Sequence, residues 1–221
     1  RASEKHLVER ISKRFPDHAI IAEEGSRKEA AGDYLWYVDP LDGTNNYAHG
    51  LPFFCVSIGV YSIRMKKVVA AVVYNPFLDE LFTAVRGGGA FLNNKPIGVS
   101  LLDDIGVSLV ATGFPYDKAT SDNNNLKEFN RIILRIQGIR RMGSAAIDLS
   151  YVACGRIDGY WEGKLKPWDM AGGSLIVEEA GGRVTSYDGG SFDPEFPEIA
   201  ATNGRIHDQL LSLLNEDCIQ K

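Results

Sequence analysis

The stretch Trp36-Tyr37-Val38-Asp39-Pro40-Leu41-Asp42-Gly43-Thr44-Asn45-Asn46 places two carboxylates three residues apart after a short apolar run. The run predicts a strand that stops at Asp39-Pro40. Pro40 favours extended backbone at the residue before it, and Gly43 permits a sharp turn. Both carboxylates and the carbonyl between them can therefore point to one side. Magnesium favours such oxygen ligands, and the N–H groups after the turn could receive a phosphate.

The acidic residues of the chain also have ordinary structural interpretations. Asp39 and Asp42 could simply shape a turn and cap a helix, since Asp, Pro and Gly are common turn residues. Glu23 and Glu24 lie in a polar loop and could be solvated surface charges. Asp169, at a predicted helix start, could be an N-cap or could complement the helix dipole. Spacing alone leaves both interpretations open.

The segments around the central stretch predict helices and strands in mixed order. The first segment predicts an amphipathic helix that ends at Pro16. Its apolar residues recur at 3.6-residue spacing, and they are Leu7, Val8, Ile11 and Phe15. Charged residues such as Glu4 lie elsewhere on the helix. A short apolar run at 20–22 and then strands at 55–61, 68–74 and 81–85 predict a hairpin-rich antiparallel sheet. The remainder predicts strands at 108–112, 157–161, 183–187 and 199–201, and helices at 124–137, 144–153, 167–180 and 206–214.

This order of elements favours layered α/β architecture over a barrel or a bundle. A chain of 221 residues, 44% of them apolar, is long enough to bury a sizeable core. We expect one domain over 1–221, with approximate halves at 1–105, which carries the antiparallel sheet and most acidic motifs, and 106–221, which carries the mixed α/β part. Because Arg1 already lies within the helical pattern, we expect the domain to be N-terminally incomplete.

Composition and charge narrow the function classes. A formal charge of -5 offers no field for nucleic acid or an anionic membrane, so a small solute is the expected partner. No apolar run approaches the ~20 residues that span a bilayer. Cys55, Cys154 and Cys218 lack metal-ligand spacing and indicate thiols in a reducing compartment. We expect a soluble, cytoplasmic protein.

Signatures of rival chemistries are missing from the sequence. It contains neither a Gly-x-Ser-x-Gly nucleophile elbow nor a Gly-x-x-x-x-Gly-Lys-Ser/Thr phosphate loop. The four histidines do not have the spacing of a zinc site, and they are His6, His18, His49 and His207. Gly87-Gly88-Gly89 lies between predicted strands and indicates a turn. A metal held by carboxylates is the chemistry that remains.

Three ordered motifs stand out along the chain: Ala22-Glu23-Glu24-Gly25, the run from Val38 to Asn46, and Pro167-Trp168-Asp169-Met170-Ala171-Gly172. Together they resemble the inositol monophosphatase family of lithium-sensitive, magnesium-dependent phosphatases, and Gly143-Ser144-Ala145-Ala146 and Glu178-Glu179-Ala180-Gly181-Gly182 add weaker support. The resemblance runs nearly end to end. It implies an αβαβα sandwich of the inositol monophosphatase and fructose-1,6-bisphosphatase type and a homodimer. The family usually has an aspartate immediately before the position of Arg1.

The resemblance also implies a role for each site residue. The metal ligands, for two or three Mg²⁺ ions, would be Glu23, Asp39, the Leu41 carbonyl, Asp42 and Asp169, with Glu24 a less certain neighbour. The catalytic residues would be Glu23, Thr44 and Asp42, of which Thr44 and Glu23 orient the attacking water. The substrate contacts would be Asp42, Gly43, Thr44, Ala145 through its N–H, Glu162 and Asp169. One ion would acidify this water, and a second would stabilise the departing alkoxide.

The implied function is magnesium-dependent hydrolysis of a small phosphorylated polyol or sugar, foremost myo-inositol monophosphate. Three kinds of alternative remain. The first is fructose 1,6-bisphosphatase or dual-specificity sugar phosphatase activity, and the second is hydrolysis of histidinol phosphate or of a nucleotide 3′-phosphate. The third is a non-catalytic binding or regulatory role. Glu162 favours a polyol. A second substrate phosphate would require additional cations near the mouth of the site. The candidates could equally be solvated surface charges, and they are Arg140, Arg141, Lys164 and Lys166. The intact acidic motifs argue against the non-catalytic role.

Overall fold

The computed structural model describes residues 2–216, so Cys218 lies outside the described residues. The helices are α1 (Ala2–Arg14), α2 (Thr44–Ala48), α3 (Leu126–Ile132), α4 (Ala145–Ala153), α5 (Pro167–Glu179) and α6 (His207–Asn215). The strands are β1 (Ala19–Ala22), β2 (Arg27–Lys28), β3 (Tyr34–Asp42), β4 (Cys55–Ser62), β5 (Lys67–Asn75), β6 (Glu80–Val85), β7 (Ala90–Leu92), β8 (Lys95–Pro96), β9 (Leu109–Thr112), β10 (Gly138–Arg140), β11 (Gly159–Gly163), β12 (Arg183–Thr185) and β13 (Glu198–Thr202). Within 2–216, no helix is both long and apolar enough to cross a membrane.

The strands form two sheets. The first has the order β2-β1-β3-β4-β5-β6-β7-β8 and is antiparallel except where β1 runs parallel to β3. The second has the order β10-β9-β11-β13-β12, in which β9 runs parallel to both of its neighbours and β13 runs antiparallel to both of its own. The predicted antiparallel first sheet and mixed second part are thus observed. The division into halves at 105 stays a prediction.

Helices cover the outer faces of both sheets and fill the space between them. The apolar stripe of α1 packs on β1 and β3 through residues such as Ile11, Ile20 and Val38. Helices α4 and α5 contact each other and both sheets, and their side chains form the main core. Helices α3 and α6 pack together on the second sheet around Trp161. The layers therefore run αβαβα, and the expected fold is confirmed.

Helix α5 approaches its neighbours closely at two consecutive glycines. A Cβ atom at Gly172 would lie 2.8 Å from the Oγ atom of Ser57 in the first sheet. A Cβ atom at Gly173 would lie 2.5 Å from the Cβ atom of Leu149 in α4. The central helical layer fits between its neighbours because these two positions carry no side chain.

Most predicted elements are confirmed, but the short strands β2, β7, β8 and β10 were not predicted, and three further details differ. Strand β3 continues through Asp39-Pro40 to Asp42, because a register shift opposite β4 accommodates the proline that cannot donate to the ladder. The predicted helix at 124–137 shortens to α3, since the N–H of Gly138 bonds to Ser108 and begins β10 beside β9. Glu4, expected among the solvent-facing charges of α1, is buried.

Candidate active site

An acidic cavity of about 380 Å³ is lined by residues from both sheets and from the starts of α2, α4 and α5. Every residue of the expected site lines it: Glu23, Asp39, Leu41, Asp42, Gly43, Thr44, Ala145, Glu162 and Asp169. Glu24 is not among the lining residues, and its N–H donates to Oε2 of Glu4 at 2.8 Å. The structure thus brings the expected residues together, and their individual roles stay predictions.

The turn after β3 is built by hydrogen bonds among its own residues. Asp39 is buried, and its Oδ1 accepts from the Leu41 N–H at 2.8 Å, so it does shape a turn as well as line the cavity. The Thr44 hydroxyl donates to the Leu41 carbonyl at 3.0 Å. Gly43 has φ 83°, and a Cβ there would lie 2.6 Å from the Phe53 carbonyl oxygen. Only glycine fits this corner without displacing its neighbours.

Asp42 is held by a helix from the other half of the chain. Its Oδ2 accepts from the Ser144 hydroxyl at 2.6 Å and from the Ala146 N–H at 2.8 Å. The Ser144 Oγ also accepts from the Ile147 N–H at 3.3 Å, so Ser144 is the N-cap of α4. Asp42 therefore binds the start of α4, and its position depends on how the two sheets are docked.

Asp169 and Glu162 face the same cavity from the second sheet's side. The Oδ2 atom of Asp169 accepts from the Lys166 N–H at 2.7 Å. The N-cap of α5 is Lys166, so Asp169 is not the N-cap but lies in the first turn, where its charge complements the helix dipole, and it also lines the cavity. The Tyr160 hydroxyl donates to Oε2 of Glu162 at 2.5 Å. A Cβ at Gly113 would lie 2.1 Å from this same oxygen, so Glu162 packs directly over the glycine. Both carboxylates are thereby fixed in orientation.

Burial, and after it the neighbouring charges, raises the pKa values of four carboxylates in the cavity, those of Asp39, Asp42, Glu162 and Asp169. Burial, followed by the charges of Asp42 and Glu23, raises the pKa of Asp39 well above its usual range. Burial also raises the pKa of Asp42, although the bonds from the start of α4 partly offset it. Burial and the charge of Asp42 raise the pKa of Asp169 to about 8. Burial raises the pKa of Glu162 to about 7, against the hydrogen bond from Tyr160. The cavity therefore favours positive charge.

The donor set fits a hard divalent cation by its chemistry. Four carboxylates, those of Glu23, Asp39, Asp42 and Asp169, share the cavity with the Leu41 carbonyl. Burial and like charges disfavour ionisation of Asp39 there, and all five groups are the oxygen ligands that Mg²⁺ prefers. Across residues 2–216, no three His, Cys, Asp or Glu side chains stand in an arrangement that could hold a metal ion as it is. Magnesium keeps several waters and takes few protein ligands, so it suits a set that is spread along the cavity wall.

Asp148 also lines the cavity, although no motif in the sequence predicted a place for it there. It lies in α4 at 1% exposure, and within the described residues its Oδ1 has no hydrogen-bond partner. Burial, with the charges of Glu162 and Asp42, raises its pKa well above the usual range, while Arg141 lowers it. The available signal was a single acidic residue inside the otherwise uncharged run Ala145–Ala153.

Five alternating layers of helices and sheets, with carboxylates gathered in a cavity at the ends of β3, β11 and α5, define a layered α/β phosphatase. The inositol monophosphatase family model matches residues 1–218. The chain belongs to the inositol monophosphatase family. The predicted family and enzyme class are confirmed.

Relatives and solved structures resemble the chain over nearly its whole length. The inositol-1-monophosphatase of Synechocystis sp. is 49% identical over 215 residues, which cover 97% of this chain and 74% of the relative. A solved inositol monophosphatase from Anabaena (Nostoc) sp. superposes with a TM-score of 0.92 at 48% identity, covering 96% of this chain and 84% of the other. The solved SaIMPase-II with inositol monophosphate bound has a TM-score of 0.84 at 28% identity, covering 96% and 81%.

Proposed function

We propose that this protein hydrolyses myo-inositol monophosphate to inositol and phosphate in a magnesium-dependent reaction. One observation carries the proposal: a single cavity collects Glu23, Asp39, Asp42 and Asp169 beside the start of α2 and beside Glu162. Acidic ligands, phosphate-binding N–H groups and a hydroxyl acceptor are the three parts that such a substrate requires. The relatives named as inositol monophosphatases support the same substrate.

The carboxylates divide into two sets of ligands in this proposal. Glu23, Asp39 and the Leu41 carbonyl would hold one ion, and Asp39, Asp42 and Asp169 would hold a second. Magnesium, when bound, supplies charge that neutralises the phosphate and acidifies water. A third ion would be held within the same cavity.

The turn after β3 would bind the phosphate and the attacking water. The N–H groups at the start of α2, those of Gly43 and Thr44 among them, have no acceptor in a preceding turn of helix and can donate to phosphate oxygens. The Thr44 hydroxyl already gives its hydrogen to the Leu41 carbonyl. Its lone pairs therefore remain to accept from a water, which Glu23 helps to orient for in-line attack.

The alcohol half of the substrate would lie toward α4 and β11. Glu162, fixed by Tyr160, can accept from polyol hydroxyls, while the Ala145 N–H and Asp42 contact the same end. A sugar bisphosphate is the second candidate, because Arg141, Lys164 and Lys166 line this cavity. The Lys164 ammonium, however, donates to Asp117 and Ser121 at 2.7 Å each, which favours the monophosphate.

We also propose inhibition by lithium, assembly as a homodimer and a cytoplasmic location, with neither nucleic acid nor membrane as a partner. Lithium sensitivity and the dimer follow from the family resemblance. The free thiols of Cys55 and Cys154 suit a reducing compartment. A dimer would be detected by light scattering, and lithium inhibition by the assay that follows.

Phosphate release from inositol 1-phosphate tests the proposal. We expect it to require magnesium, to stop in EDTA and to fall at least about a hundredfold in Asp42→Asn, because a charged ligand is lost. Asp103→Asn, at an exposed aspartate outside the cavity, is the matched control and should keep full activity. Undiminished turnover in EDTA or in Asp42→Asn would defeat the metal assignment.

A substrate panel separates the candidates. It contains inositol 1-phosphate, fructose 1,6-bisphosphate, histidinol phosphate and 3′-phosphoadenosine 5′-phosphate. The highest kcat/KM is expected for inositol 1-phosphate. A higher value for another member would reassign the substrate while leaving the phosphatase class intact.

A further inference from the structure

Glu4 is a buried acidic residue on a helix whose other charged residues face solvent. Its residue exposure is 3%, whereas the side chains of Lys5 and Glu9 in the same helix are 78% and 65% exposed. Burying a carboxylate is costly unless it is hydrogen-bonded. A position that keeps a buried charge on a surface helix therefore requires an explanation beyond packing.

The two oxygens of Glu4 bind the backbone of the loop between β1 and β2. Oε2 accepts from the Glu24 N–H at 2.8 Å, and Oε1 accepts from the Ser26 N–H at 3.1 Å. Such charge-assisted bonds are stronger than neutral ones, and two of them fix both the position and the orientation of the loop.

Glu23 is the residue of this loop that lines the acidic cavity. Its own N–H donates to the Val38 carbonyl at 3.1 Å, so β3 holds one side of the residue and Glu4 holds the other. The first turn of α1 also touches β3 near the other ligands, where the Ser3 hydroxyl donates to the Pro40 carbonyl at 3.3 Å. Helix α1 is thus connected to both segments that would supply the first ion's ligands.

We propose that Glu4 is a positioning residue for the metal site, which holds the loop that carries Glu23 in place beside β3, where Asp39 and Leu41 lie. The inference rests on the proposed function. Glu4 itself contacts neither metal nor substrate in this scheme. It acts through the Glu24 and Ser26 amides, so its loss should weaken ion binding and loosen the loop without altering the other ligands.

Glu4→Gln tests the inference. The glutamine keeps the shape of the side chain, but its amide nitrogen cannot accept, so one loop N–H loses its partner. We expect the dissociation constant for Mg²⁺, measured by calorimetry without substrate, to rise about tenfold, with kcat at saturating magnesium changed by less than about twofold. Amide hydrogen exchange at Glu24 and Ser26 in metal-free protein should become faster.

Glu9→Gln is the matched control, with the same substitution on the same helix at a solvated pair with Lys5. It should change neither the magnesium affinity nor the loop exchange. Equal magnesium affinity in Glu4→Gln and the unmodified protein, even with a lowered melting temperature, would show a merely structural role and overturn the inference. If the unmodified protein bound no magnesium, the proposed function itself would fail. Should Glu4→Gln not fold, Glu4→Asp is judged by the same two measurements.

Discussion

His207 is fully buried at the start of α6, with a ring nitrogen 2.9 Å from each of two hydroxyls, those of Thr185 and Thr202. Burial, followed by the charge of Arg183, lowers the pKa of His207 from 6.5 to about 4. The unfolded chain therefore binds the proton first as pH falls, and the folded state loses stability between the two values. Above pH 6.5 both states hold the ring neutral.

Replacing this histidine should remove that part of the acid sensitivity. Between pH 6.5 and 4.5 we expect the free energy of unfolding to fall by about 2 kcal/mol more in the parent than in His207→Gln, since about 1.4 kcal/mol corresponds to each pKa unit. Urea denaturation at the two pH values gives the comparison, and titrations shared by both proteins cancel. Parallel losses would show that His207 keeps an ordinary pKa.

At the residue scale, local sequence reveals which carboxylates matter but not what holds them. Asp39 and Asp169 make hydrogen bonds within three residues, as turn and helix-start patterns predict. Two partners of Asp42, Ser144 and Ala146, lie 102 and 104 residues away, and the partners of Glu4 lie 20 and 22 residues away. Such pairs depend on the docking of whole elements, and periodicity could classify Glu4 only as polar.

The central helix α5 is an element whose packing opposes its helix propensity. Alanine is favoured over glycine in a helix by about 1 kcal/mol. A Cβ at Gly173 would nevertheless lie 2.5 Å from the Cβ of Leu149, and overpacking costs about 1–3 kcal/mol. We expect Gly173→Ala to lower the free energy of unfolding, as measured by urea titration. Ser212→Ala, at an exposed position of α6, should stay within about 0.5 kcal/mol. A stabilised Gly173→Ala would show that α4 can move aside.

Elements with a long periodic pattern were predictable. Most of the shortest strands were not, although β12 falls within the strand predicted at 183–187. The apolar spacing and end signals of α1, α4 and α5 located each to within a few residues. The strands β2, β7, β8 and β10 have two or three residues, too few to show alternation. They form because a longer strand beside them offers backbone partners, and that information lies in the neighbour.

The whole molecule has one main core that draws on both sheets. Tyr37 of β3 and Ile199 of β13 belong to the same buried cluster, which α4 and α5 connect. We expect the two sheets to unfold in one cooperative step. Single-tryptophan variants that keep Trp36 in β3 or Trp161 in β11 should give the same urea midpoint by fluorescence. Separate midpoints would mean that the halves unfold independently.

At this scale the sequence predicts the layers but not the strand order of the second sheet. Alternating helices and strands indicate α/β layering, and the structure has it. Strand β13 nevertheless lies between β11 and β12, so that the last of the strands described within 2–216 occupies an inner position. Two antiparallel partners for β13 could not be deduced from the spacing of its neighbours along the chain.

The crowded carboxylates of the cavity serve turnover but lower the thermal stability of the protein. Acidic groups that raise one another's pKa values destabilise the fold unless a cation lies among them, and neutral amides at Asp39 or Asp169 would relieve that strain. The substitutions that would most easily stabilise the ion-free protein are therefore those that would remove its catalytic activity. Catalysis and stability of the ion-free protein therefore place opposite demands on the same residues.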